Sequence, residues 1–154
     1  MRTTTQETLS SSDARAAILS CHEELRGLVT ETIHAAESAT KYEHGFEPLR
    51  IHARELYEAC EAHMDFEERV LAAALRDVIG YGPMLQAQVV EGHEKQRATL
   101  EAAMSALDPD SPTPVRLVES VREFTDSLLT DLKLEERCLL NADLDAMLID
   151  TGGG

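Results

Sequence analysis

Four long segments of this chain carry an apolar stripe whose positions are spaced alternately four and three residues apart. In the second segment the stripe runs through Leu49, Ala53, Leu56, Cys60, His63, Glu67, Val70 and Ala74. The fourth segment repeats these steps through Leu117, Val121, Phe124, Leu128, Asp131, Glu135, Cys138 and Ala142. A seven-residue period of this kind is typical of helices that bury one face. No stretch shows the polar–apolar alternation of a half-buried strand.

The first and third segments carry stripes with the same period. These run through Ile18, His22, Leu25, Val29, Thr32 and Ala36, and through Val89, His93, Gln96, Leu100, Ala103 and Leu107. Glycine- and proline-containing breakers separate the segments, which therefore span roughly 13–40, 47–77, 83–107 and 114–140. A short fifth helix is also predicted near 142–149. Short connections between four such helices predict an all-α fold, an up-down-up-down four-helix bundle.

The ends of the chain have a different composition from the segments between them. Residues 1–12 form a polar stretch without the apolar core of a signal peptide, and residues 151–154 read TGGG. The prediction is therefore one bundle domain over residues 13–150, with a flexible tail on each side.

The net charge limits which partners are expected, and the cysteines indicate the cellular location. The net charge is −15, which repels nucleic acid and anionic membranes, so neither is expected as a partner. No apolar run approaches the roughly 20 residues that span a bilayer. The three cysteines, Cys21, Cys60 and Cys138, are odd in number and lack CxxC spacing. A disulfide framework is therefore not expected, and a reducing cytoplasm is the predicted location.

Polar residues interrupt all four apolar stripes at positions that should be buried. They are His22, His63, Glu67, His93, Asp131 and Glu135. Each buried ion costs several kcal/mol unless it is compensated, and the stripes contain no Lys or Arg to do so. A bound cation would remove this cost, so these six residues are the candidate metal ligands.

The heights of these residues along the bundle also agree. His22 and His63 each lie about twenty residues from the middle of the first loop, and Glu67 and His93 about thirteen from the second. At 1.5 Å per residue the six side chains fall within about one helical turn of one layer. The chain also looks duplicated, because HEELR begins at His22 and HEKQR at His93. Two hairpins related by a pseudo-twofold axis would suit two metals bridged by two carboxylates.

These motifs give the chain its resemblance to a known family. With His22, the stretches HMDFEE, GHEKQ and LKLEER make the region from about 13 to 140 similar to the hemerythrin-like, or HHE cation-binding, domain. The resemblance implies a four-helix bundle that holds two non-haem iron ions with an oxo or hydroxo bridge. Dioxygen, peroxide and nitric oxide are the small ligands expected of such a centre.

The resemblance also implies a role for each of the six residues. Glu67 and Glu135 would bridge the irons, His22 and His63 would complete one of them, and His93 and residue 131 the other. The family usually has His at this last position, whereas this chain has Asp131. Carboxylate is a normal iron donor, so Asp131 is either a ligand or the mark of a degenerate second site.

Other polar residues have less specific interpretations. His34, His44 and His52 are expected at the surface or in a loop, and the cysteines as small core residues. Gln96 is either a polar core residue or a hydrogen-bond partner of a ligand. Glu68 and Glu136 each precede an arginine, which predicts solvated ion pairs.

Three classes of function remain open from the sequence. The first is a di-iron protein that binds or senses a small ligand, in redox, oxygen or iron handling. The second is an enzyme that consumes peroxide or oxidises iron, for which no catalytic residue can be named. The third is a structural bundle with a degenerate or single-metal site. The oligomeric state is not predicted.

Overall fold

The structure is a computed structural model that describes residues 11–42, 46–75, 81–108, 110 and 113–137. Four helices account for nearly all of them: α1 (Ser11–Tyr42), α2 (Glu47–Leu75), α3 (Tyr81–Ser105) and α4 (Pro114–Glu135). The predicted all-α fold is thus confirmed, and the ends of α1, α2 and α3 lie about two residues from the predicted ones. The predicted fifth helix, residues 142–149, and the tail at 151–154 lie outside the described residues, as does most of the tail at 1–12.

The helices pack as a ring in which each contacts its two neighbours in sequence order, and α4 closes the ring against α1. Among the described residues, α1 and α2 contact each other most extensively and α3 and α4 least. None of the described helices combines the length and the apolar character that crossing a membrane requires.

The start of α4 is set by its local sequence. Thr113 is the N-cap residue, and its side chain accepts a hydrogen bond from the backbone N–H of Arg116. Pro114 follows at the first helical position, where a missing N–H costs nothing. At the other end, Glu136 and Arg137 form a π-helical turn that continues α4. Such turns are frequent at functional sites.

The apolar stripes form the core, as the period predicts. The stripe positions from Ile18 to Ala36, from Leu49 to Val70 and from Leu117 to Leu128 are all buried. Tyr57 and Phe124 add an edge-to-face aromatic pair, with ring centroids 4.6 Å apart. This packing fixes the heights at which the polar stripe residues meet.

Four described stripe positions depart from the prediction, because they are only half-buried. They are Val89 and Gln96 of α3, and Asp131 and Glu135 of α4. All four lie along one seam, where α3 and α4 contact each other less closely than the other neighbours do. The seven-residue period does not distinguish one seam of the bundle from another, so it carries no sign of this opening.

The core predicts how substitutions in α2 affect stability. Replacing Leu56, which is fully buried, with Ala should lower the free energy of unfolding by about 2–5 kcal/mol, because it leaves a cavity. The control Ile51→Ala removes an aliphatic side chain that is 58% exposed, and should change it by about 0.5 kcal/mol or less. Urea unfolding followed by circular dichroism measures both. Equal effects of the two substitutions would contradict the packing described.

Candidate metal centre

Three helices bring four of the six predicted residues into one compact group. His22 comes from α1, His63 and Glu67 from α2, and Glu135 from α4. One ligand atom of each residue lies within 4.8 Å of the corresponding atoms of the others. The spacing of four residues between His63 and Glu67 places both on one face of α2. The stripes and the helix heights thus suffice to assemble this group.

The distances within the group are those of atoms that surround a common point. His63 Nε2 lies 2.8 Å from Glu67 Oε2, and His22 Nε2 lies 3.1 Å from Glu135 Oε1. His22 Nε2 is 3.9 Å from Glu67 Oε2, so both carboxylates face the same imidazole. The rings of His22 and His63 meet edge to face, with centroids 4.9 Å apart.

The fifth predicted residue, His93 of α3, also approaches both carboxylates. Its Nε2 lies 3.8 Å from Glu67 Oε2 and 3.8 Å from Glu135 Oε2. At Glu67 all three histidines lie near the same oxygen, Oε2. At Glu135 the imidazoles of α1 and α2 lie near Oε1 and His93 lies near Oε2, an arrangement that a carboxylate shared by two cations requires.

The sixth predicted residue, Asp131, lies at the edge of this arrangement. It is one turn before Glu135 on α4 and lines a cleft together with His93. Among the described residues it forms no ion pair, and it does not belong to the compact four-residue group. The structure thus brings five of the six predicted side chains together and places Asp131 beside them, at the half-buried seam.

Several buried donor and acceptor atoms in the group make no hydrogen bond. They are both ring nitrogens of His63, both carboxylate oxygens of Glu67, and Nε2 of His93. His63 Nε2 and Glu67 Oε2 are close, but they lack the alignment of a hydrogen bond. Leaving such atoms unpaired costs about 1–3 kcal/mol each, and more when they are charged. Nitrogen and carboxylate oxygen are the donors that iron, zinc and manganese bind, so these residues fit a metal.

A second layer of carboxylates contacts the outer nitrogens of two histidines. His22 Nδ1 lies 3.0 Å from Glu136 Oε1, and His93 Nδ1 lies 3.0 Å from Glu68 Oε1. Each of these glutamates also accepts hydrogen bonds from an arginine: Arg26 donates to Glu136 at 2.9 Å, and Arg97 donates to Glu68 at 2.9 Å. These contacts orient both rings with Nε2 towards the group, an arrangement common around metal-bound histidines.

The two His–Glu–Arg chains correct one prediction from the sequence. Glu68 and Glu136 were expected to form solvated ion pairs with the arginines that follow them. Instead Arg69 Nε donates to a backbone oxygen of its own helix, that of Asp65, at 3.3 Å. The partners Arg26 and Arg97 lie four residues after His22 and His93, so the duplicated HxxxR and Glu-Glu motifs were the available sign of this layer.

The two carboxylates and their acidic neighbours determine the protonation of the histidines when protein groups alone surround them. Burial lowers the pKa of His22, but its interactions with Glu135, Glu67 and Glu136 outweigh burial and raise the pKa to about 10. Both nitrogens of this ring face carboxylate oxygens, as an imidazolium requires. The pKa of His93 is also raised, because the pull of these carboxylates exceeds the effect of burial.

The pKa of Glu135 is shifted in the opposite direction, to a lower value. Burial raises the pKa of this carboxyl group, but interactions with His22 and His93 outweigh burial and hold the pKa well below its usual range. Glu135 is therefore ionised throughout the neutral range, as a metal-binding carboxylate must be.

The remaining candidates lie away from the centre or are poor ligands. Cys60 is a buried core residue, and burial raises the pKa of its thiol to about 12, so the thiolate is not formed near pH 7. His34 and His52 line a separate groove between α1 and α2. Gln96 makes no hydrogen bond to His93 and lines the cleft with Asp131. His44 and Cys138 lie outside the described residues.

Comparison with known proteins gives one match. The family model described as hemerythrin HHE cation binding domain matches residues 13–142, which include all four described helices from Asp13 onwards. No curated protein and no solved structure matches the chain.

The raised pKa of His22 predicts proton release when a metal binds. A coordinating imidazole nitrogen must be unprotonated, and the pKa of about 10 makes His22 an imidazolium at pH 7 in metal-free protein. Adding iron(II) anaerobically at pH 7 should release at least one proton, and the release should diminish as the starting pH approaches 10. A pH indicator in weakly buffered solution measures it. Metal uptake at pH 7 without proton release would contradict this assignment.

The raised pKa of His22 also determines how the stability of the metal-free protein changes with pH. Because the folded-state pKa of His22 lies above its unfolded value of 6.5, its contribution is complete below pH 6.5 and is lost as the pH rises through about 10. Metal-free protein should therefore lose stability over this interval, whereas this loss should be absent from the metal-loaded protein. Urea unfolding of both forms at a series of pH values measures the difference.

The outer carboxylates should tune metal affinity. Replacing Glu68 or Glu136 with Gln removes the charge that faces Nδ1 of His93 or His22, and should weaken metal binding by roughly 10–100-fold. The control Glu58→Gln changes an exposed glutamate of α2 and should leave the affinity unchanged. Competition with a chromophoric chelator measures all three. Equal affinity of the Glu68→Gln and Glu58→Gln proteins would show that the outer layer has no such role.

Proposed function

Because the chain belongs to the hemerythrin HHE cation-binding family, we propose that it holds two non-haem iron ions and binds small ligands such as dioxygen, peroxide or nitric oxide. One observation supports this most strongly: both oxygens of Glu67, both ring nitrogens of His63 and Nε2 of His93 are buried, make no hydrogen bond and lie close together in the core. Such a group is costly in a helical core unless cations bind it.

The two carboxylates are proposed to be shared between the ions. His22 and His63 lie near Oε1 of Glu135 and His93 lies near its Oε2. All three histidines lie near Oε2 of Glu67. The first ion would therefore be held by His22, His63, Glu67 and Glu135. The second would be held by His93 and the same glutamates, with Asp131 completing it from the seam.

The charge of the carboxylates is compatible with two divalent ions. Glu67, Asp131 and Glu135 supply three negative charges, which two iron(II) ions exceed by one, and one hydroxide ion would cancel this excess. When bound, the irons supply reversible one-electron chemistry and open positions for a small ligand. Six side chains cannot complete two six-coordinate ions even when both glutamates are shared, so such positions are expected.

The protein's own part in this function is to exclude water and fix the ligands. His22, Glu67 and His93 are at most 1% exposed, so bulk water does not reach them. The contacts of Glu136 and Glu68 hold the rings of His22 and His93 with Nε2 inward. A site of low dielectric with oriented donors strengthens each electrostatic interaction within it.

Metal content of protein from iron-replete cells tests the proposal. Elemental analysis should find two iron ions per chain, and anomalous scattering should place them beside Glu67 and Glu135. Glu67→Ala should abolish the two-iron site, because it removes a shared ligand that is fully buried. His34→Ala, which changes an exposed histidine of α1, is the matched control and should retain both ions.

Two results would overturn the proposal. One is full iron content in Glu67→Ala protein, and the other is a purified chain that contains no iron and takes up none anaerobically. Turnover of peroxide or oxidation of added iron(II) by the loaded protein would assign it to the enzyme class. Binding of dioxygen or nitric oxide without turnover would assign it to the carriers or sensors.

A further inference from the structure

A cleft of about 330 Å³ opens between α3 and α4, directly beside the candidate metal centre. His93 and Glu135 line it, so it is continuous with the group of donors described above. Its remaining walls include Val89, Gly92, Gln96, Ser127, Asp131 and Leu134. The cleft lies on the seam where the predicted core positions are only half-buried.

Gly92 is one of the residues that line this cleft. It lies within α3, immediately before His93, where glycine is less favourable than alanine. A Cβ atom added at Gly92 would meet no atom within 4 Å, so there is room for a larger side chain at this wall of the cleft.

The walls of the cleft combine apolar and polar surface. Val89 and Leu134 provide the apolar part, and Leu134 is 51% exposed although it is a large aliphatic residue. On the polar part, the side chains of Gln96, Ser127 and Asp131 make no hydrogen bond to any described residue. A few polar groups on a largely apolar wall are typical of small-molecule sites.

The size of the cleft exceeds what a diatomic ligand needs. About 330 Å³ corresponds to roughly eleven water molecules at about 30 Å³ each. A second pocket behind Gln96, Ser127 and Asp131 has only about 10 Å³, which is too small for more than one water-sized group. A ligand larger than a few atoms is therefore confined to the outer cleft.

Hydrogen bonding selects among ligands of this size. Asp131 lines the cleft, and its side chain makes no hydrogen bond to any described residue. A ligand with an O–H group can donate a hydrogen bond to a carboxylate oxygen of Asp131 that the second ion would leave free. A purely apolar ligand would leave this acceptor without a partner.

We propose that the cleft binds a small neutral organic molecule with a hydroxyl or hydroperoxyl head group. The head group lies beside Asp131 and His93, and the apolar body lies against Val89 and Leu134. The inference rests on the proposed function in one respect, since it is the metal centre that would make binding at this position useful. It goes beyond that function by naming the chemical class of a ligand larger than dioxygen.

The experiment measures binding of cumyl alcohol, which has the head group and size proposed but no peroxide bond to turn over. It uses the full chain loaded with iron, with iron content measured on the same samples. Gly92→Leu adds a large side chain at the wall of the cleft and should weaken binding at least tenfold. Gly27→Leu makes the same exchange in α1, where a Cβ atom also meets nothing within 4 Å, and should bind like the unmodified chain.

Two further comparisons test the dependence of binding on the size of the side chain at position 92 and on the head group of the ligand. Gly92→Ala adds one methyl group and favours the helix, so it should fold well and weaken binding by a smaller factor than Gly92→Leu. tert-Butylbenzene, which has a methyl group in place of the hydroxyl group, should bind the unmodified chain at least tenfold more weakly than the alcohol. Isothermal titration calorimetry measures each affinity, and circular dichroism confirms that each variant is folded.

The inference is overturned if the unmodified chain shows no saturable binding of cumyl alcohol, if Gly92→Leu binds as tightly as Gly27→Leu, or if tert-butylbenzene binds as well as the alcohol. An iron-loaded chain that fails to bind the alcohol overturns the cleft alone. A chain that takes up no iron but binds the alcohol in a Gly92-dependent manner supports the cleft and overturns the di-iron proposal.

Discussion

The burial of negative charge in a helical core is the constraint on which this structure depends. Glu67 is fully buried and makes no hydrogen bond. Glu135 lies beside it, with 12% of its side chain exposed. Positive charge has to be supplied at the same height, and three imidazoles surround the two carboxylates. Protons on the histidines or metal ions between them can meet this requirement. The competition between the two is what makes metal binding at this site sensitive to pH.

The second layer of carboxylates extends this compensation of charge from the buried histidines towards the surface. The side chains of Glu68 and Glu136 are 27% and 25% exposed, and each joins a buried histidine to an arginine nearer the surface. Arg26 and Arg97 are more exposed still, so charges of alternating sign lead from the solvent to the buried centre. Each group in such a chain stabilises the ionised form of the next. The orientation of His22 and His93 is thus linked to residues that solvent can reach.

Much of the fold and of the site followed from spacing alone. Alternating steps of four and three residues placed His63 with Leu56, and Asp131 with Leu128, on single helix faces, and the loop positions placed the histidines at one height. The outer layer of glutamates and arginines does not follow from the sequence spacing. The neighbour of Glu68 in sequence is Arg69, whereas its partner in the structure, Arg97, lies on another helix. The cleft could not be predicted, because a heptad period carries no information on how closely two particular helices approach.

The outer layer connects the two halves of the chain reciprocally. His22, in the hairpin of α1 and α2, is held by Glu136 of the other hairpin, and His93, in the hairpin of α3 and α4, is held by Glu68 of the first. Neither hairpin contains the partner that its own histidine needs. A correctly oriented pair of rings therefore exists only once both hairpins have docked in the native alignment. Tight metal capture thus acts as a check on assembly, since misaligned or separated halves would lack the orientation that it requires.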